Sequence, residues 1–251
     1  MTKDEELLKK RLLELSNIAY ERNIVTFSDF LNLNELNILH TLPKNLLPTS
    51  YRCFGGYELA ERQMVAFIPD ALCYDYKYPI AILKIEAVNK RYAQELTHRD
   101  YLGALLNLGI DRSKVGDIAV DVDVAFIFLH ENLADFVKNH FVKIRHTNIR
   151  LEQCEVEDLH YTPKVEIIKG TVASLRLDAV LSLGFSISRS KILPLIERGL
   201  VFINGKLITN NGHALKEGEI ISLRKMGRIR FDQVQGGTKK GRILIQIIKY
   251  I

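Results

Sequence analysis

The sequence predicts an α+β protein in three parts: an N-terminal helical part, a middle α/β sandwich module, and a small C-terminal unit of two helices with a β-hairpin. Three observations predict it. Apolar residues recur at helical spacing between residues 3 and 22, at Leu7, Leu8, Leu12, Leu15, Ile18 and Ala19, the pattern of one buried helix face. Between residues 61 and 160, apolar strand-like runs interleave with two helical stretches, as they do where helices pack on one face of a sheet. From residue 170 to 251 the charge changes sign: 14 Lys and Arg stand against 5 Asp and Glu, a net +9, while the rest of the chain carries −4 and the whole +5.

The length of 251 residues admits one large domain or two to three small ones. With 47% hydrophobic and 26% charged residues the composition is globular rather than disordered. No apolar run approaches the roughly 20 residues that span a bilayer, and MTKDEELLKK lacks the apolar stretch of a signal peptide. A cytoplasmic protein with no membrane partner is therefore expected. Cys53, Cys73 and Cys154 are odd in number, widely spaced and form no CxxC pair, so buried reduced thiols are expected rather than a disulfide or zinc framework. The basic last third points to a polyanion as partner of the C-terminal part.

In the N-terminal region, 1–60, a helix over 3–22 is followed by Thr26 and Ser28 as N-caps of a second helix through Phe30 and Leu31. Asn34 then caps a third through Leu36, Ile38 and Leu39, ending before Pro43. Gly55-Gly56 marks a turn, with no GxGxxG or Walker pattern to make it a phosphate loop.

In the module at 61–160, strands are predicted at 63–68, 80–88, 117–129 and 143–153. One helix covers 97–108, with Thr97 as N-cap, Asp100 as its capping-box partner and Gly109 as stop. A second covers 132–141, with Leu133, Phe136 and Val137 inward. The order ββαβαβ is compatible with a split βαβ fold, an RNA-recognition-like module. One face of the 117–129 strand carries Ile118, Val120, Val122, Val124, Phe126 and Phe128. The other carries Ala119, Asp121, Asp123, Ala125 and Ile127; its carboxylates would repel a phosphate chain and read better as a solvated face than as a metal pair. Two other patches form the candidate second surface for RNA or a partner. Tyr74, Tyr76, Lys77 and Tyr78 interleave aromatics with charge. His98, Arg99, Arg112 and Lys114 stand at the two ends of the Thr97 helix. Packing at a module edge and ordinary helix-end charge are the competing readings. Residues 154–170, acidic at Glu155, Glu157 and Asp158 and then carrying Pro163 and Gly170, read as a linker, with a C-terminal domain over 172–251.

In that domain Ser174 is expected to cap a helix with Leu177, Val180, Leu181 and Leu183 inward and Gly184 as stop, leaving Arg176 and Asp178 outside the stripe. Ser188 caps a second helix with Ile192, Leu195 and Ile196 inward and Gly199 as stop. Arg189 and Lys191 sit in its first turn, where the helix dipole disfavours cations. An anion bound by the free N–H groups, the serine hydroxyls and the two cations would justify them. Pro194 inside this helix costs about 3 kcal/mol and predicts a kink or a tightened first turn. Asn204-Gly205 between two short strands predicts a type I′ hairpin turn, and Gly218-Glu219 turns the chain into a strand over 220–223. Strands at 228–234 and 242–250 flank Gln235-Gly-Gly-Thr-Lys-Lys-Gly241. The candidate RNA-binding set is Arg176, Asp178, Ser188, Arg189, Ser190, Lys191, Arg198, Asn204, Lys206, Lys239, Lys240 and Arg242.

Six ordered blocks carry a resemblance: Arg176-Leu-Asp, Leu181-Ser-Leu-Gly184, Ser188-Arg-Ser-Lys191, Leu195-Ile-Glu-Arg-Gly199, Val201-Phe-Ile-Asn-Gly205 and Lys216-Glu-Gly-Glu-Ile220. They resemble the RNA-binding domain named after small-subunit ribosomal protein S-four, from which Pro194 departs. On THRDYLGALLNLGIDRSKVGD at 97–117 and GGTKKG at 236–241, nearly the whole chain resembles the bacterial YlmH family. That resemblance implies a non-catalytic protein bound to rRNA and tRNA on the large ribosomal subunit, acting in rescue of stalled ribosomes (ribosome-associated quality control), with an older link to cell division. A monomer without cofactor or metal is expected. RNA-modifying enzymes are the alternative, because pseudouridine synthases and some methyltransferases carry the same small domain. Against them, no Gly-rich turn follows a strand, the small domain precedes no catalytic domain, and the seven histidines show no HExxH spacing. A cell-division scaffold, the third reading, predicts a protein partner and no salt-dependent RNA binding.

Overall fold

The computed structural model describes residues 3–70, 76–89, 91, 94–121, 123–156, 165–238 and 241–250. The chain divides into two compact units, Met1–Tyr161 and Thr162–Ile251. Among the described residues no single helix is long and apolar enough to cross a membrane.

The first unit opens with helix α1 (Lys3–Arg22), which buries Leu12, Leu15, Ser16 and Ala19 as its spacing requires. Strand β1 (Thr26–Phe27), helix α2 (Leu33–Thr41) and strands β2 (Ser50–Phe54) and β3 (Met64–Ile68) follow, and the strands form an antiparallel sheet in the order β1-β3-β2. The helix expected after Thr26 does not form. β3 competes for the same backbone: Ser28 N–H donates to Val65 O and the Ser28 hydroxyl accepts from Val65 N–H, both at 2.9 Å. The cap of α2 is Asn32, not Asn34. Its Oδ1 accepts from Asn34 N–H at 2.9 Å and Glu35 N–H at 3.1 Å, and Glu35 accepts from Asn32 N–H at 2.7 Å, a complete capping box.

The rest of the unit is built on β4 (Ile80–Ala87), α3 (His98–Leu106), β5 (Val115–Val120), β6 (Val124–His130), α4 (Ala134–His140), β7 (Lys143–Ile144) and β8 (Thr147–Cys154). The five strands pair antiparallel in the order β5-β6-β4-β8-β7. This is the split βαβ topology of RNA-recognition modules, reached by a different allotment of strands. The predicted first strand, β3, belongs to the other sheet. The predicted single strand over 117–129 folds back on itself, with Asp121 N–H donating to Val124 O at 2.8 Å. The strand over 143–153 is likewise a hairpin, turning through Arg145 at φ 51°. Thr97 and Asp100 make the expected capping box at the start of α3.

Both faces of this sheet are buried. Leu83, Ile85, Ala125 and Ile127 pack under Tyr101, Leu105 and Val137 of the two helices. Ile82, Phe126 and Phe128, on the opposite face, pack with Phe30 and Met64 and with Tyr57. Phe136, expected inward, is instead exposed and stacks on His140 at 4.4 Å.

The second unit consists of β9 (Val165–Val172), α5 (Leu177–Gly184), α6 (Arg189–Glu197), β10 (Val201–Ile203), β11 (Lys206–Leu207), β12 (Ile220–Leu223), β13 (Gly227–Gly237) and β14 (Ile243–Tyr250). Its six strands are ordered β11-β10-β12-β13-β14-β9, all antiparallel. β9 corrects the expectation of a linker over 154–170: Val165 to Val172 pair in register with Tyr250 to Ile243. Leu177, Val180, Leu181, Ile192 and Ile196 of the two helices close over Ile221, Ile229, Phe231, Ile245 and Ile247, and each such buried side chain contributes roughly 1.5–3 kcal/mol. Helix and sheet approach closely at Gly184, where a Cβ would lie 2.8 Å from Ile229 Cδ1 and force that side chain to shift. The Asn204-Gly205 turn is type I′ as expected, with φ of 47° and 80°. Tyr74, Lys239 and Lys240 lie outside the described residues.

Candidate nucleic-acid interface

Two helix starts place three of the eight sequence-predicted cations of the second unit, Arg176, Arg189 and Lys191. α5 begins at Leu177 with Arg176 as its N-cap residue, two residues later than the expected Ser174. No side chain caps it. The loop after β11 does so with backbone: Leu177 N–H donates to His213 O at 2.9 Å and Asp178 N–H to Asn211 O at 3.2 Å, which satisfies helix donors that would otherwise lack a partner. Asp178, expected outside the apolar stripe, is buried, with a side chain only 7% accessible. Its Oδ1 accepts from Arg176 Nε at 3.1 Å, while Arg176 itself stays 47% accessible. The carboxylate thus positions the guanidinium, and the guanidinium faces solvent.

α6 begins one residue after Ser188, as the sequence predicts. The Ser188 hydroxyl does not cap the helix; it bonds to the Ser190 hydroxyl at 3.0 Å. Ser188 O accepts from both Lys191 N–H at 3.0 Å and Ile192 N–H at 3.1 Å, as Thr97 O and Arg176 O do from two N–H groups at the starts of α3 and α5. The first turn is thus no tighter than in helices without proline, and α6 runs uninterrupted past Pro194. Arg189, Ser190 and Lys191 are all exposed, and among the described residues neither cation has an acidic partner. Two cations at the positive end of a helix each cost about 0.3–1 kcal/mol when nothing offsets them. A bound phosphate reverses the sign of that term.

The remaining candidates scatter. Arg198 is the exposed C-cap residue of α6. Asn204 is occupied by the fold: its Oδ1 accepts from Ile220 N–H at 3.0 Å, tying the β10–β11 turn to β12. Lys206 is exposed beside it. Arg242 donates to Thr171 O at 2.6 Å and to Thr171 Oγ1 at 3.0 Å, which pins the exposed guanidinium to β9. Asn211 and His213, which complete the start of α5 through their carbonyls, were not legible as functional, because backbone caps leave no residue signature.

In the first unit the candidate second surface is largely consumed by packing. The Tyr78 ring lies 5.4 Å from both Phe27 and Phe54 and 5.7 Å from Tyr76, and its hydroxyl donates to Arg52 O at 2.9 Å. Burial pushes the Tyr78 hydroxyl far above the usual phenol range. Lys77 pairs with Glu155 at 3.2 Å. Arg112 donates to Val115 O and to Gly116 O, and Arg62 donates to Val115 O at 2.9 Å and Phe30 O at 2.8 Å. Burial, with the neighbouring Arg62, lowers Arg112 to about 10. Lys114 pairs with Asp29 at 2.6 Å. His98 and Arg99 remain exposed.

Base stacking in RNA-recognition modules uses aromatics on the open sheet face. Here Phe126 and Phe128 do stand on the face away from the helices, but they are 3% and 0% accessible. Tyr57 stacks on Phe128 at 4.9 Å, and Asp117 holds that cover by accepting from Tyr57 Oη, Glu61 N–H and Arg62 N–H. Asp121 and Asp123, expected on the strand face opposite Phe126 and Phe128, sit instead at the β5–β6 turn.

Comparison with known proteins agrees with this division. A family described as "Putative RNA-binding domain in YlmH" matches residues 74–158, and the S4 domain matches residues 175–221. The chain is 31% identical, over 244 residues, to the ribosome-associated protein quality control protein P2 of Bacillus subtilis (strain 168), covering 96% of this chain and 93% of that protein. Among solved structures it is similar in fold to the cell division protein ylmH from Streptococcus pneumoniae. That likeness has a TM-score of 0.52 at 22% identity and covers 63% of this chain and 96% of that one.

Proposed function

We propose that this chain, which belongs to the YlmH family, is a non-catalytic, cytoplasmic RNA-binding protein that binds structured rRNA or tRNA on the large ribosomal subunit during ribosome-associated quality control. The relative named for that process supports the setting. The observation that carries RNA contact is the start of α6, where Arg189 and Lys191 are exposed at the positive end of a helix and have no acidic partner among the described residues. A phosphate there takes two cations, the serine hydroxyls and the free N–H groups of the first turn. Arg176, held by Asp178, adds a guanidinium at the start of α5, and Arg198, Lys206 and Arg242 are further exposed cations of the same unit.

Binding to large subunits and to a structured rRNA fragment, followed against salt, tests this. Arg189→Ala with Lys191→Ala is expected to weaken binding and to reduce the slope of log K against log salt by about 1.4–1.8, two phosphate contacts at 0.7–0.9 each. Unchanged affinity and slope would remove this surface from the assignment. Hydrolysis, methyl transfer or base isomerisation by the purified protein would count against the non-catalytic reading.

A further inference from the structure

We infer that the β12–β13 turn, Arg224-Lys225-Met226, together with Arg198 forms a second phosphate-binding point for RNA at the far end of α6. This rests on the RNA-binding reading above and extends it from Arg198 to Arg224 and Lys225, which lie outside the predicted set. The turn is closed by Met226 N–H donating to Leu223 O at 3.0 Å, and Leu223 pairs with Gly227 across it. Arg224 N–H donates to Leu200 O at 2.9 Å, so the turn lies against the chain just past the C-terminus of α6, next to Arg198. The three cations are exposed, and among the described residues none has an acidic partner.

Ordinary structural roles account for two of them and not for the third. Arg198 sits at a helix C-terminus, where a cation is favoured in any case. Arg224 lies 5.7 Å from the centroid of the buried Phe202 ring, a cation–π contact that gives it a packing role. Lys225 has φ of 68°. That left-handed conformation suits Gly, Asn or Asp, and for Lys it is strained. The Lys225 side chain has no hydrogen bond or ion pair among the described residues that would hold it there. The turn would fold more comfortably with Asn at this position, and what Lys adds is a positive charge aimed at solvent beside two others.

The test uses the full chain and the same rRNA fragment. Lys225→Asn is expected to keep or raise Tm, because it relieves the left-handed strain, yet to weaken binding and to lower the salt slope by about 0.7–0.9. Lys225→Arg retains both. Lys225→Asn with Arg224→Gln is expected to add its loss to that of Arg189→Ala with Lys191→Ala. In hydroxyl-radical footprints, the two double variants lose protection at different nucleotides. If the turn variants keep wild-type affinity and slope while the α6 variant loses both, this inference fails and the first reading stands. If neither pair alters binding, both fail. A loss of affinity that appears only together with a lower Tm makes the turn structural and also overturns the inference.

Discussion

Asp178 is the acidic residue on which a basic surface depends. Buried at the start of α5, it holds Arg176 in one orientation at 3.1 Å. Asp178→Ala is expected to cost on the order of 1–3 kcal/mol in urea unfolding, because a charge-assisted bond is lost in a buried setting, and to weaken RNA binding by freeing the guanidinium. His130 offers a pH test in the first unit. Burial and the nearby Lys114 hold its ring below the usual imidazole range, and its Nδ1 accepts from Asn132 N–H at 3.4 Å. The folded state therefore takes up the proton less readily than the unfolded chain. The contribution of His130 is fully present above the unfolded value of about 6.5 and is lost as pH falls through it. Tm measured from pH 7.5 down to 5.5 is expected to decline, and His130→Asn, which keeps an acceptor, is expected to flatten that part of the decline. Neither role was legible in the sequence, where Asp178 has the spacing of a surface residue and His130 no distinctive neighbour.

Elements closed by residues within a few positions of each other were legible, and those that need a distant partner were not. Thr97 with Asp100, and Asn204 with Gly205, announce their structures because the bonds they make are local. The turn at Asn204 also shows how a local signal gains a distant role. Its side chain bonds Ile220 N–H, sixteen positions away. Asn204→Ala is expected to lose about 1–3 kcal/mol, from the lost hydrogen bond and the strained φ together, read as a lower denaturation midpoint, while Asn204→Asp retains most of it. The hairpin at 121–123 left a faint trace, two aspartates within an apolar run. The turn at Arg145 left none, since it uses neither Gly nor Asn at φ 51°. β9 was read as linker because its only reason to be a strand is β14, more than seventy residues later.

At the scale of the molecule, the second unit has a core drawn wholly from its own residues, so a fragment over 162–251 is expected to unfold cooperatively and to keep salt-dependent RNA binding. A fragment over 173–251 lacks β9, which leaves the edge of β14 open and removes Ile168 and Val172 from the core. It is expected to be less stable, by roughly 1.5–3 kcal/mol for the buried Val172 side chain alone, as chemical denaturation of the two fragments would measure. The sequence by itself determined the α+β class, the stripes of α1, α5 and α6, the type I′ turn and the basic C-terminal third, because each depends on the composition or spacing of neighbouring residues. Only the tertiary structure decided that β3 leaves the five-stranded sheet, that Phe126 and Phe128 are covered by Phe30, Met64 and Tyr57, and that Asp178 is buried. Those outcomes are set by competition for the same apolar area and the same backbone partners among residues tens of positions apart, and no local pattern records who wins.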